Sequence, residues 1–400
     1  METISTTFAV RFHDLFPRAL PGAVCLSALL GAAGCSAEFE APREEGTIKT
    51  EKQAIWGGGW REFTAFPTQT GGFAGDSAVC DAFTFQGGFV AFGRSASTNR
   101  FRMSITERLL PTTAWADLST QTFNSKPGCA PLDGLYDLPQ GQWNYQKAVV
   151  GKNSSTNQYM IRVVKLGPSS PIVPQTIQTW TSISTAQYVT APAVTLSTHL
   201  NNGPRRGRLA VVGRRSNGRF YVHLNEIDDT NPSQPFNNGN WQSAVQLPAL
   251  PGTWVAQGDP AVVDSTLVFD GITIMTRATN GGQTRLYAMI WRGPSGFTSP
   301  WTQEWTLTAG ADPAISWDWI NMTQTVFARG SGGAIYEADS MGAEIDPFTL
   351  LVNQNNTGFI GAPSAVGNLD GWEGNHVLVT RKSDNQFYWA SPCPIIWEQC

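Results

Sequence analysis

Apolar and polar positions alternate in short runs along most of the chain. Phe220, Val222 and Leu224 are interleaved with Tyr221 and His223, which is the period of two that a β-strand shows. Polar Ser/Asn/Gly stretches such as Ser216-Asn217-Gly218 and Ser331-Gly332-Gly333 separate the runs and supply positive φ at low cost. Each pair of runs with its turn therefore reads as a β-hairpin.

The hairpins recur with a period of roughly 57 residues, which is the mark of a repeat architecture. A first box is a small residue or Asp, then Pro or Ser, then Ala and Val. It stands at Asp76-Ser77-Ala78-Val79, Ala191-Pro192-Ala193-Val194, Asp259-Pro260-Ala261-Val262, Asp312-Pro313-Ala314-Ile315 and Pro363-Ser364-Ala365-Val366, with Ala130-Pro131-Leu132 as a weaker copy. A second box is an apolar strand, a basic or small residue, a polar turn and a strand opening on an aromatic. Its copies run from Val90 to Phe101, Val149 to Tyr159, Val211 to Tyr221, Thr276 to Tyr287, Ala328 to Tyr336 and Thr380 to Tyr388. A third box centres on an aromatic: Trp115, Trp180, Trp241, Trp301 and Phe348. No such strand follows Tyr388, but one precedes the first unit at Trp60-Arg61-Glu62-Phe63.

This pattern predicts an all-β β-propeller of six four-stranded blades, with a seventh blade as the alternative count. The blades fall at 78–120, 129–185, 191–249, 259–309, 312–355 and 362–400 plus 56–66. The N-terminal strand completes the last blade and removes an open edge. The Pro-Ala-Val strands would line the channel, and most Trp would wedge between sheets.

Composition agrees. Gly 40 and Pro 25 suit a chain of turns, and only 14% of residues are charged. Fifteen Trp exclude a disordered chain, and a coiled coil or bundle would need helix formers at helical period. A net charge of −4 leaves no electrostatic footprint for nucleic acid.

The N-terminus adds an address. Arg11 and Arg18 precede a short apolar run from Ala19 to Ala33, too short for a permanent span. It ends Leu29-Leu30-Gly31-Ala32-Ala33-Gly34-Cys35-Ser36. Residues 1–34 read as a signal peptide. Small residues before Cys35 resemble the lipobox of bacterial lipoproteins, although Ala32 stands where Leu is usual. That resemblance implies that Cys35 is the lipid anchor and that the protein is exported and tethered to the cell envelope, at the outer membrane or cell surface. An ordinary cleaved signal is the alternative. The charged segment 35–53 reads as a tether, and 54–400 as one propeller domain. Four cysteines remain for an oxidising compartment, and the local pairs Cys80–Cys129 and Cys393–Cys400 are favoured over zinc ligation.

The order Pro-Ala-Val, strand-Arg-turn-Phe-Tyr, Trp strand resembles the repeat of bacterial propeller lectins, the fucose-binding lectins of the Photorhabdus type. The resemblance covers nearly all of 56–400 and implies a lectin-like fold that binds glycans without catalysis. Motifs for nucleophilic, metal or phosphate chemistry are absent, so no cofactor, metal or catalytic residue is assigned. Sugar rings stack on aromatics while Asp, Asn and Arg bond their hydroxyls. Tyr188, Trp254, Asp259, Asn280, Asp312 and Trp317, placed in connectors and turns, are the candidate ligand-binding residues. Two other readings stand beside this one: a scaffold for protein partners in the envelope, and a secreted glycosidase, which needs two carboxylates at a set spacing.

Overall fold

The computed structural model describes residues 60–81, 88–107, 113–132, 146–166, 175–197, 208–226, 236, 241–265, 271–294, 299–304, 307–318, 323–341, 344–351, 356–367 and 376–392. The expected signal peptide and tether, with Cys35, Cys393 and Cys400, lie outside them. Among the described residues no helix is long and apolar enough to cross a membrane.

Six antiparallel sheets form a six-bladed propeller. Blade 1 is Ala78–Asp81, Gly88–Arg94, Arg100–Glu107 and Ala116–Thr122. Blade 2 is Gly128–Pro131, Gln146–Lys152, Gln158–Lys165 and Gln175–Gln187. Blade 3 is Ala193–Ser197, Arg208–Arg214, Phe220–Glu226 and Val245–Gln246. Blade 4 is Ala261–Asp264, Ile272–Asn280, Gln283–Trp291 and Thr302–Glu304, with Val255–Ala256 paired to the hairpin end of its second strand. Blade 5 is Ala314–Asp318, Thr323–Arg329 and Ile335–Met341, with an outer strand in two pieces, Glu344–Ile345 and Thr349–Leu350. Blade 6 is Ser364–Gly367, His376–Arg381 and Phe387–Ala390.

The outer strand of blade 6 comes from the other end of the chain. Thr64–Ala65 pairs with Phe387–Ala390, in the register Thr64 to Trp389 and Ala65 to Tyr388, and Trp60 bridges to Pro392. This is the closure that the unpaired N-terminal aromatic strand predicted.

Each blade buries both faces, so its second strand is buried along most of its length and mainly apolar at its centre, while alternate side chains serve opposite interfaces. In blade 1, Val90 and Phe92 face blade 2, and Phe89 and Ala91 face blade 6. The core is accordingly six apolar clusters, one in each gap between neighbouring blades. The aromatic of each outer strand reaches back to the preceding blade. Trp115 donates to the Pro67 carbonyl at 2.9 Å, Trp180 to Ser119 Oγ at 2.7 Å, Trp301 to the Pro248 carbonyl at 3.0 Å and Trp60 to Glu337 Oε2 at 2.9 Å. Trp241 and Phe348 do the same by packing.

Two units differ in register from the sequence reading. The box of blade 2 is Lys126-Pro127-Gly128-Cys129, not Ala130-Pro131-Leu132, because the inner strand already starts at Gly128. Glycine in place of alanine hides that copy, and close packing requires it: a Cβ there would lie 2.7 Å from the Pro192 carbonyl of blade 3. The box of blade 6 likewise begins one residue earlier, at Ala362. Once realigned, Cys129 stands one position earlier in its unit than Cys80 does in its own; the two lie on adjacent inner strands and form the expected disulfide, with Cα atoms 6.2 Å apart.

Candidate functional site: the charged mouth of the channel

The six inner strands surround a narrow central channel of about 90 Å³, lined by Ala, Val, Pro, Ser and Gly with Cys129, Ile315 and Lys126. At one mouth the inner strands begin, the second strands end and the hairpin turns lie. Three of those turns place an Asn in the left-handed region, Asn99 (φ 56°), Asn157 (φ 56°) and Asn385 (φ 61°), and two use Gly218 and Gly333.

Sixfold register brings polar residues together at this mouth. Five of the second strands end on Arg94, Lys152, Arg214, Arg329 and Arg381, and the longer one of blade 4 carries Arg277 at the equivalent place, three residues before its end. In every blade the carbonyl of that basic residue accepts an N–H from the connector leading to the inner strand. The donors are Ala74, Asn124, Val189, Gln257, Gly310 and Ile360, at 2.7–3.1 Å. Two residues on from each donor is the residue that opens the box: Asp76, Lys126, Asp259, Asp312 or an alanine. Backbone bonding thus sets a ring of cations around an inner group of three carboxylates and Lys126.

Several of the carboxylates latch neighbouring blades. Asp259 Oδ1 accepts the Ala191 N–H of blade 3 at 2.7 Å, and Asp312 Oδ2 accepts the Asp259 N–H of blade 4 at 2.9 Å. Asp312 Oδ1 also takes Arg277 Nε at 3.1 Å, and Asp259 Oδ2 is 4.0 Å from Lys126 Nζ. Gly258 allows the approach of Asp312 to the Asp259 N–H, since a Cβ there would collide with the Asp312 carboxylate. Burial raises the pKa of Asp76 and Asp259, against the pull of Lys126. Burial alone would lower Lys126, whose side chain is 11% exposed, but Asp259, Asp76 and Asp312 outweigh it and hold its pKa above the ordinary value.

The sequence-selected residues divide. Asp259 and Asp312 meet at the mouth. Trp254 lies in the same connector as Asp259, half-buried against Tyr287 with ring centroids 5.4 Å apart. Asn280 is at the hairpin end of blade 4, paired with Gln283. Trp317 is not in a connector: it lies on the inner strand of blade 5, buried, five residues beyond Asp312. Tyr188 is also buried; it stacks on Tyr159 at 3.9 Å and its hydroxyl bonds His223 Nε2. The sequence reading missed Asp76, Lys126 and the ring of basic residues. The recurrent basic residue of the second box was the available signal, but only the closed ring puts its six copies side by side.

Neither described histidine is open for chemistry. His223 is buried and its pKa is pushed down to about 4 by burial and then by Arg215. His376 lies buried between Ser316 Oγ at 2.8 Å and Thr325 Oγ1 at 3.1 Å. Among the described residues no three His, Cys, Asp or Glu side chains are close enough to hold a metal ion.

No family model matches the chain, and no curated protein matches it. Solved structures do. An α-L-arabinofuranosidase from Fusarium graminearum superposes with a TM-score of 0.53 at 10% identity, over 84% of this chain and 98% of that one. The six-bladed fucose-recognising lectin of Aleuria aurantia gives 0.49 at 11% identity, over 81% and 93%. At 10% identity the likeness to the arabinofuranosidase is one of fold alone, and it extends over nearly the whole of that neighbour.

Proposed function

We propose that this is a non-enzymatic, carbohydrate-binding propeller whose ligand sits over the charged channel mouth. The observation that carries this reading is the gathering of Asp76, Lys126, Asp259 and Asp312 inside a ring of six basic side chains, at the end of an otherwise small and apolar channel. Hydroxyl-rich ligands need acceptors and donors side by side, and this mouth offers both.

Binding is favoured over hydrolysis because two of the three carboxylates at the mouth, Asp259 and Asp312, are already engaged. Glycosidic cleavage uses two carboxyl groups free to exchange protons or attack. Both oxygens of Asp259 and of Asp312 already serve a backbone N–H and a cation. A glycan array probed with the purified protein tests the reading, with aryl glycosides assayed in parallel. Specific glycan retention without turnover supports it. Turnover of any aryl glycoside, or retention of no glycan, overturns it, and the second result favours a protein partner.

The same proposal includes tethering to the bacterial envelope through lipid on Cys35, supported by Leu30-Gly31-Ala32-Ala33-Gly34-Cys35. Cys35→Ala should move the protein from the membrane fraction to the soluble fraction. Unchanged partitioning would count against the anchor.

A further inference from the structure

We propose that the channel mouth is selective for an acidic sugar, one that carries a carboxylate beside its hydroxyls. This inference rests on the carbohydrate-binding reading and narrows its ligand class.

The argument starts from charge. The chain as a whole has a net charge of −4, yet the mouth gathers Arg94, Lys152, Arg214, Arg277, Arg329, Arg381 and Lys126 against Asp76, Asp259 and Asp312. Seven cations therefore face three carboxylates in one half-buried place. Like charges crowd there. Arg94 feels Arg381 in addition to its own burial, whereas Lys152 and Arg329, after burial, are drawn first by Asp259 and Asp76 and feel Arg94 and Arg277 less. Their hydrogen bonds go mostly to neutral oxygens: Lys152 to the Val189 carbonyl at 3.2 Å, Arg329 to the Gly310 carbonyl at 2.6 Å, and Arg381 to the Phe73 carbonyl at 3.2 Å and Asn385 Oδ1 at 2.8 Å. Those bonds hold the side chains in place without neutralising them. An anion over the mouth would relieve the crowding, and guanidinium groups suit a carboxylate in particular.

The three aspartates narrow the class further. They accept hydrogen bonds and repel negative charge, so a compact dianion such as phosphate would meet Asp76, Asp259 and Asp312 as well as the cations. A monoanionic ring with hydroxyls can instead turn its carboxylate to the basic ring and its hydroxyls to the aspartates. Partial burial keeps water from screening either contact fully.

Calorimetric titration of the full-length protein with trigalacturonate, neutral trigalactose and inorganic phosphate tests this. The expected result is binding of trigalacturonate at least tenfold tighter than trigalactose, weakening as salt rises, with phosphate a poor competitor. Arg214→Gln should weaken trigalacturonate at least fivefold more than it weakens trigalactose, narrowing the gap between the two. Lys126→Met should do the same; because it also removes the cation beside Asp259, the Arg214 variant carries the test if the Lys126 variant does not fold. Equal affinity for the two trisaccharides, with no effect of Arg214→Gln, would overturn acid selectivity while leaving carbohydrate binding intact. Phosphate competing as well as trigalacturonate would mean an anion site without sugar recognition. Binding of neither trisaccharide would remove this inference, and failure on the wider array would remove the parent reading.

Discussion

The rings of Phe101 and Phe123 lie parallel, 4.0 Å apart between centroids and 8° from coplanar. Phe101 belongs to blade 1 and Phe123 to the connector entering blade 2, and the pair fills the space that Gly151 of blade 2 leaves open. A Cβ on Gly151 would stand 2.6 Å from the Phe123 ring. The same arrangement recurs at Gly93 under Phe73 and Phe387, and at Gly213 under Tyr159, which stacks on Tyr188. Where the connector supplies Ala256 or Ala309 instead, the glycine is replaced by Thr276 or Ala328. Gly151→Ala should therefore destabilise by about 1–3 kcal/mol through overpacking. Gly151→Ala combined with Phe123→Leu should recover part of the loss. Denaturant melts of the two variants measure it, and equal stability of Gly151→Ala and parent would refute the packing argument.

Glu337 sits where the ring closes. It accepts the Trp60 indole N–H, and burial pushes its pKa from 4.5 up to about 7, against that hydrogen bond. The folded state thus holds a proton that the unfolded chain releases. Its stabilisation is complete below about pH 4.5 and is lost as pH rises through about 7. Glu337→Gln keeps an acceptor for Trp60 without the charge. It should be more stable than the parent above pH 7, by at most about 3 kcal/mol, with little difference at pH 4.5. Thermal melts across this range decide it, and a gap that does not widen with pH would contradict the assignment.

His223 gives the opposite slope. Its pKa falls from 6.5 to about 4, from burial and then Arg215, so the unfolded chain takes up a proton that the folded ring resists. Its contribution is present above about pH 6.5 and disappears as pH falls through about 4. His223→Gln retains a partner for the Tyr188 hydroxyl and should flatten this part of the stability profile. Persistence of the parent's slope in the variant would assign the loss to other groups.

The Cys80–Cys129 bridge joins the inner strands of blades 1 and 2 and closes a loop with a sequence separation of 49. Loop-closure entropy for that length puts its stabilisation at about 4 kcal/mol. A Cys80→Ser, Cys129→Ser double variant should unfold at lower denaturant by that order and lose the parent's sensitivity to reductant. A midpoint unaffected by reductant in the parent would show that the bridge does not form in solution.

The chain's local chemistry was enough for the architecture. Alternation, turn residues and the Trp-centred strands announced six units, because a propeller repeats its interfaces and each repeat must solve the same packing problem. The closing strand was legible as well, since an outer strand missing after Tyr388 and one left over at Trp60 leave a single way to remove both edges. Asp259 and Asp312 were found because Asp before Pro stands out along the chain. What no linear reading supplied was adjacency around the ring. Arg94 and Arg381 are far apart in sequence and neighbours at the channel mouth, and Asp76 faces Arg381 only because the circle closes. Burial was decided at the same level. Tyr188 and Trp317 have the composition of binding aromatics, but the gap between blades is apolar and tight, and it takes the large rings that connectors and inner strands bring to it.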